Sequence, residues 1–217
     1  MEMVPYTFVL GGTSGLGAAI ADECERRQEQ VLRVGRKIID LSRDQGIHDQ
    51  LEEMGRDQIQ DHVACDKLYW CAGILHRGDF VEQSIHEMLC VNLVNALEFV
   101  QFIWWQQRKV HERPFHLITI ASTTGISDSP RADEAVYAAT KAAQVSFTRA
   151  IGKGNTNPNL KVSLFCPGGM KTPFWDNMPD VDTSSFLDPR KVAEAIVNDV
   201  SNQTEFYFER TIPRGSL

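Results

Sequence analysis

Thr7-Phe8-Val9-Leu10-Gly11-Gly12-Thr13-Ser14-Gly15-Leu16-Gly17-Ala18-Ala19-Ile20 is the stretch that decides the fold. Thr7 to Leu10 is a short apolar run of the kind that fills a buried strand. Ala18 opens a helical pattern that extends to Gln28, and Gly11 to Gly17 turn the chain between the two. A strand that turns through glycines into a helix lets backbone approach an anionic group and lets helix pack on sheet, where a Cβ would clash. The helix end behind such a turn offers free N–H groups and partial positive charge. Gly11, Thr13, Ser14, Gly15, Leu16 and Gly17 are therefore the expected lining of a phosphate cradle. The spacing is Gly-x-x-x-Gly-x-Gly, not Gly-x-Gly-x-x-Gly, and no Gly-Lys-Ser/Thr follows it as in a P-loop. A loop that only connects strand to helix is the alternative.

Outward from the turn the same alternation continues. Val31–Val34, Leu68–Ile74, Phe115–Ala121, Val162–Phe165 and Phe206–Phe208 read as strands. Between them, Ser84–Lys109, Asp133–Ile151 and Pro189–Val200 read as helices, and Asp44–Asp61 carries Ile47, Leu51, Met54 and Ile59 at roughly helical spacing. Strands alternating with amphipathic helices imply βαβ units. The expected fold class is α/β: a single doubly wound, Rossmann-type domain over residues 1–217, with a mostly parallel central sheet and helices on both faces. Residues 1–115 form its cofactor-binding half and 116–217 its catalytic and substrate half. There is no repeat and no linker.

The 217 residues carry 22 Lys+Arg against 29 Asp+Glu, a formal charge of −7, which argues against a nucleic-acid partner and against docking on anionic lipid. No apolar run approaches the ~18–20 residues that span a bilayer, and the start does not read as a signal peptide. The five cysteines are scattered, with neither Cys-x-x-Cys pairs nor zinc spacing to the six histidines, so no metal site is expected and a reduced, cytoplasmic setting is.

Two further groups carry chemistry. The second apolar run ends Leu32-Arg33-Val34-Gly35-Arg36-Lys37 without the carboxylate that binds a ribose 2′-hydroxyl. Arg36 is placed to meet a 2′-phosphate with its planar fork, so the expected dinucleotide is NADP, with Lys37 or Arg33 as helpers. A solvated basic turn is the alternative. Further on, Tyr137-Ala138-Ala139-Thr140-Lys141 sets a phenol and an ammonium four apart on one helix face, and Ser122 follows the strand Leu117–Ala121. At the carboxyl end of a sheet these three side chains converge above the cradle. Reduction of a carbonyl needs a proton for the developing alkoxide. A phenol with an ordinary pKa of about 10 is too weak an acid to exchange protons readily at neutral pH, and the nearby lysine cation, with an oxidised nicotinamide, is expected to lower it by favouring phenolate.

Together these residues resemble the short-chain dehydrogenase/reductase family over nearly the whole chain. Gly11, Gly15 and Gly17 match its cofactor loop, Tyr137 and Lys141 its Tyr-x-x-x-Lys element, and Ser122 its strand-end Ser-x-x-Gly. Asn92 matches the asparagine that kinks its helix and completes the proton relay through a water. Ala72-Gly73 matches the end of the Asn-Asn-Ala-Gly turn beside the cofactor. Pro167-Gly168 and Thr172 match the loop that contacts the nicotinamide, and Asp40 looks like the acid that binds the adenine amino group. Leu10 replaces the usual threonine before the glycines, and Trp70-Cys71 the two asparagines. Almost no residues separate Arg36 from Asp40 where the family has a helix, so the sheet is expected to be shortened at its second/third strand edge.

The resemblance implies an NADP(H)-dependent oxidoreductase that interconverts a carbonyl and an alcohol, with Tyr137 as general acid/base. The alternatives are a non-catalytic NADP(H)-binding regulatory or scaffold protein, and a lyase or isomerase that uses its nucleotide transiently. The loop between Thr172 and Asp188, with Phe174, Trp175, Met178 and Phe186, reads as a mobile lid favouring an apolar or aromatic substrate. Trp104 and Trp105 lie on the helix that forms subunit contacts in the family, which implies a homodimer or homotetramer.

Overall fold

Six strands form one parallel sheet: β1 (Tyr6–Leu10), β2 (Gln30–Val34), β3 (Cys65–Trp70), β4 (Phe115–Ile120), β5 (Leu160–Pro167) and β6 (Tyr207–Ile212), in the order β2-β1-β3-β4-β5-β6. The computed structural model describes residues 5–44, 46–53, 64–108, 113–128 and 131–217. Leu10 lies opposite both Val34 and Trp70, and Trp70 opposite Thr119, so the carboxyl ends of the first four strands come out together. The chain leaves β1 toward β2 on one side and returns to β3 on the other. This reversal opens the crevice in which such sheets bind ligands.

Helices cover both faces, as expected. On one, α1 (Gly15–Arg26) and α6 (Pro189–Asn202) bury Ile20, Ala21, Ile196 and Val197 against Val9, Ile118 and Phe165. On the other, α2 (Ile47–Glu53) and α4 (Asn95–Gln106) bury Ile47, Leu51, Phe99 and Ile103 against Phe8, Leu68 and Leu117, with α5 (Ala135–Lys153) adding Phe147 and Ile151. Every residue of β4 is buried, as a central strand covered on both faces requires.

Several expectations are corrected. The strand read as Leu68–Ile74 ends at Trp70, where its ladder to β4 ends, and Cys71–Ile74 leave the sheet toward the crevice. Beyond β2, the chain turns at once: the Ile38 and Ile39 N–H groups both donate to the Gly35 carbonyl. Among the described residues β2 is therefore the edge of the sheet. Of the helical pattern at Asp44–Asp61, Ile47–Glu53 is helix; Met54 and Ile59 lie outside the described residues, as does Lys109. The long central helix is α3 (Ile85–Leu89), a π-turn at Cys90–Val94, and α4. Taken as one element of 22 residues, it holds an 18-residue window of mean hydropathy 1.4 and so is long and apolar enough to cross a membrane by length and composition, although no uninterrupted apolar run within it does. Its Phe99, Val100 and Ile103 are instead consumed by the core.

Candidate active site

A cavity of about 650 Å³ opens at the carboxyl ends of the strands, within the range of small-molecule sites. Gly11, Thr13, Ser14, Gly15, Leu16 and Gly17 line it from the turn, and Arg36 and Asp40 from beyond β2. Ala72 and Gly73 follow β3, and Pro167, Gly168 and Thr172 follow β5. Ser122, Tyr137 and Lys141 complete the wall.

The turn is built for close approach. Gly11 has φ +84°, and a Cβ there would lie 2.8 Å from the Ala72 backbone. One on Gly17 would lie 2.2 Å from the Gly11 carbonyl oxygen. Ser14 caps α1 without a side-chain hydrogen bond, and the first helical turn carries no acid. The leading N–H groups of the helix therefore face the cavity unanswered, which suits a pyrophosphate.

At the far end, the exposed Arg36 makes no hydrogen bond or ion pair among the described residues. Arg33 is not its helper: its guanidinium binds Glu25 (2.7 Å) and Asp22 (2.6 Å) of α1, which raise its pKa further and tie it away from the cavity. Lys37 is not in the lining either. Asp40 accepts from the Ser42 hydroxyl (2.6 Å) and backbone N–H (3.0 Å). These bonds, with Arg43 and Arg36 nearby, hold its carboxyl below the usual range against the opposing effect of burial.

The reacting groups stand on β4 and α5. Ser122 caps a short turn, Thr123–Ile126, and its Oγ accepts from the Thr124 N–H at 3.1 Å. Tyr137 and Lys141 are one turn apart on α5, with the Lys141 Nζ 5.7 Å from the centre of the phenol ring. The expected lowering by the lysine is not found: burial pushes the Tyr137 phenol up to about 12, against a lowering bond from Ser122. It pulls the Lys141 ammonium down to about 8. Burial also pushes the Cys71 thiol up, consistent with a small filler rather than a nucleophile.

Asn92 lies behind the cavity wall. From the π-turn its Oδ1 accepts from the Ile74 N–H (2.7 Å), and its Nδ2 donates to the Ile74 carbonyl (2.9 Å) and Thr140 Oγ1 (3.0 Å). Its backbone carbonyl meets not Lys141 but Gln144, whose Nε2 donates to it at 2.6 Å while Lys141 Nζ donates to Gln144 Oε1 at 2.9 Å. Sequence reasoning missed Gln144. The available signal was its place three residues after Lys141 on the same helix face.

The loop after β5 walls the substrate end. Phe174 packs 6.0 Å from the Tyr137 ring, Trp175 5.2 Å from Phe174, and Phe186 5.2 Å from Trp175. Trp175 Nε1 donates to the Met170 carbonyl at 3.0 Å. Phe174 and Trp175 line the cavity, while Phe186 is buried behind them and Met178 is not in the lining. Polar groups also missed from the sequence join this wall: Arg131, ion-paired to the buried Glu134, and Arg214, stacked 4.2 Å over Phe186. Away from the cavity, exposed His86 pairs with Asp44 at 2.7 Å and lies 3.6 Å from Cys90 Sγ. This grouping of metal-capable atoms was not visible in the sequence spacing.

Comparison with known proteins bears on this geometry. The family model described as short chain dehydrogenase matches residues 25–182, a span that holds Asn92, Ser122, Tyr137 and Lys141 but not the glycine turn. The chain is 28% identical over 219 residues to a 7beta-hydroxysteroid dehydrogenase of Clostridium sardiniense, covering 88% of this chain and 77% of that one. Among solved structures it resembles ElxO with NADP bound (TM-score 0.78, 18% identity, 99% of both chains). It also resembles 4-hydroxyisoleucine dehydrogenase complexed with NADH (TM-score 0.76, 20% identity, 98% of both chains).

Proposed function

Because the chain belongs to the short chain dehydrogenase family, we propose that it interconverts a carbonyl and an alcohol with NADP(H), Tyr137 acting as general acid/base. The observation that carries this reading is the convergence of Ser122, Tyr137 and Lys141 on one cavity with an unanswered helix N-terminus at its floor. That floor suits a dinucleotide: Gly11 and Gly17 let the turn pack tightly against Ala72 and its own carbonyl, and α1 presents its leading N–H groups to the cavity. When bound, the nicotinamide supplies or takes the hydride. Pro167, Gly168 and Thr172 are the residues that would hold that end, and Arg36 and Asp40 the adenosine end.

The chain's own residues manage the proton. A phenol kept protonated by burial is ready to donate to a carbonyl oxygen, so the chemistry is written in the reducing direction. Lys141, charged below about pH 8, offsets the phenolate left behind. Ser122, whose oxygen accepts from Thr124 and whose O–H meets the Tyr137 phenol, would turn that O–H to the substrate oxygen when a carbonyl enters beside the phenol. Phe174 and Trp175 offer faces to an apolar or aromatic group beside the carbonyl. The half-exposed Ile85, Val94 and Trp105 along the central helix would seat a second copy, giving a homodimer or homotetramer. Asp40 favours a second cofactor reading, since its carboxylate is an acceptor suited to a ribose hydroxyl and thus to NAD(H).

The test is a panel of ketones and aldehydes supplied with NADPH or NADH, followed by loss of reduced cofactor. Wild-type protein is expected to turn over at least one carbonyl. Tyr137→Phe is expected to lower kcat by about 10²–10⁴-fold while still binding cofactor. Undiminished turnover by the phenylalanine variant would overturn the reading, and cofactor binding without turnover of any compound would favour the regulatory alternative.

A further inference from the structure

We infer that Gln144 is a positioning residue for Lys141: its side-chain amide fills the place between the lysine ammonium and the Asn92 carbonyl and fixes the ammonium against the cavity. The inference concerns the site of the proposed reaction and rests on that reading for its catalytic meaning.

An ammonium has three donors. Lys141 commits one to the Ile120 carbonyl at 3.2 Å and one to Gln144 Oε1 at 2.9 Å, and the side chain lines the cavity with the third donor uncommitted among the described residues. The Gln144 amide is engaged at both ends, since its nitrogen donates to the Asn92 carbonyl at 2.6 Å. Its orientation is forced. Reversed, it would set an NH₂ group against an ammonium and an oxygen against a carbonyl oxygen. The Asn92 side chain is already spent on Ile74 and Thr140, so only its backbone carbonyl, displaced by the π-turn, can anchor the amide. Gln144 is wholly buried and contributes no surface contact.

What the amide supplies is an acceptor for a charge taken out of water. The titratable groups that act on Lys141 are Cys71 at the end of β3 and Cys166 of β5, both thiols that burial keeps neutral, and the phenol of Tyr137 faces it from one turn back. No carboxylate is among them, so the Gln144 and Ile120 oxygens carry the compensation. A water in the same place could also bridge the two groups, but it would pass protons along. The amide holds both ends and passes none, so Lys141 exchanges its proton through the cavity.

The experiment titrates Lys141 in the cofactor-free protein by NMR of ¹³Cε-labelled lysine, the signal being assigned through Lys141→Arg. Gln144→Leu keeps most of the bulk and removes both hydrogen bonds, with Gln144→Met in its stead should leucine not fold. Gln144→Ala opens room for a bridging water. Wild type is expected to titrate near 8. The leucine or methionine variant is expected about one unit lower, a tenfold loss of proton affinity, and alanine between that and wild type. A space-filling residue would give the reverse order, alanine the more perturbed. An unmoved midpoint in Gln144→Leu, or a larger displacement in Gln144→Ala, overturns the inference. No substrate enters this measurement. Its failure therefore leaves the proposed reaction standing, and absence of turnover in the carbonyl panel leaves the amide bridge standing.

Discussion

Arg36→Ala tests the cofactor assignment most directly. The guanidinium is exposed at the end of the cavity beyond β2, where the proposed reading puts the adenosine, and makes no hydrogen bond or ion pair among the described residues, so its removal orphans no internal partner and costs the fold little. Its expected worth is that of a charge-assisted hydrogen bond to a phosphate, about 1.5–3 kcal/mol. Solvent exposure places it toward the lower end, so NADPH should bind roughly 10- to 50-fold more weakly. A second contribution has the same sign. Asp40 lines the same end with its carboxyl held ionised, and Arg43 stands 3.9 Å from it. Without Arg36, a 2′-phosphate meets that carboxylate less well compensated. NADH has no such phosphate, and its Kd should move by less than about threefold, under 0.7 kcal/mol. The assay is a titration of intrinsic tryptophan fluorescence with each reduced cofactor, at low salt and again at about 0.5 M, where screening should shrink the NADPH preference of wild type. Arg33→Ala is the control: its side chain is committed to Asp22 and Glu25, so it should leave the NADPH/NADH ratio unchanged. Equal affinities in the parent protein would refute the argument, as would an Arg36→Ala variant that kept the parent's ratio.

Gly17→Ala places a methyl group 2.2 Å from the Gly11 carbonyl oxygen, against backbone that cannot yield. Overpacking of this kind costs about 1–3 kcal/mol, a Tm lower by roughly 2–12 °C for a chain of this length, together with weaker cofactor binding. Thermal unfolding with and without NADPH checks both, and a variant that melts and binds like wild type contradicts the cradle. His116 supplies a pH test of the core. Burial, then the Lys161 and Lys67 charges, hold its imidazole down to about 3, and it bonds Ser163 at 2.8 Å. The unfolded chain thus binds a proton that the folded one refuses. Its contribution to stability is complete above about pH 6.5 and is lost at up to ~1.4 kcal/mol per unit as pH falls toward 3. Urea midpoints at pH 7 and 5 should separate by less in His116→Gln than in wild type, and equal separations would remove His116 from the account.

What could be read in the chain before its structure is what repeats locally. The glycine turn, the helices and the Tyr137–Lys141 pair are fixed by spacings of a few residues, and those spacings survive folding unchanged. The misreadings all involve a neighbour distant along the chain. Arg33 looked like a phosphate ligand because Asp22 and Glu25, which claim it, sit on the preceding helix. The strand through Ile74 stops at Trp70, opposite Leu10, the last residue of β1, and Thr119 of β4. Gln144 is the clearest case: its role is set by a carbonyl 52 residues earlier, and nothing about a glutamine in a helix announces that partner.

The cradle makes the complementary point. The family match begins at residue 25, after the turn, so the proposal that Gly11 to Gly17 bind phosphate gains nothing from it. It rests on two physical facts, a Cβ at Gly11 or Gly17 with nowhere to go and a helix end with no acid and no side-chain cap. A tight connection alone would explain the first. It would not explain the second, because a helix N-terminus that nothing in the protein satisfies is stabilised by an anion from outside. Placing an aspartate at Ser14 separates the two: a mere connection should gain about 0.5–1 kcal/mol from the added cap charge, whereas a phosphate site should gain that stability and lose dinucleotide affinity through like-charge repulsion. Retained affinity in Ser14→Asp would leave the turn as a connection and move the cofactor elsewhere.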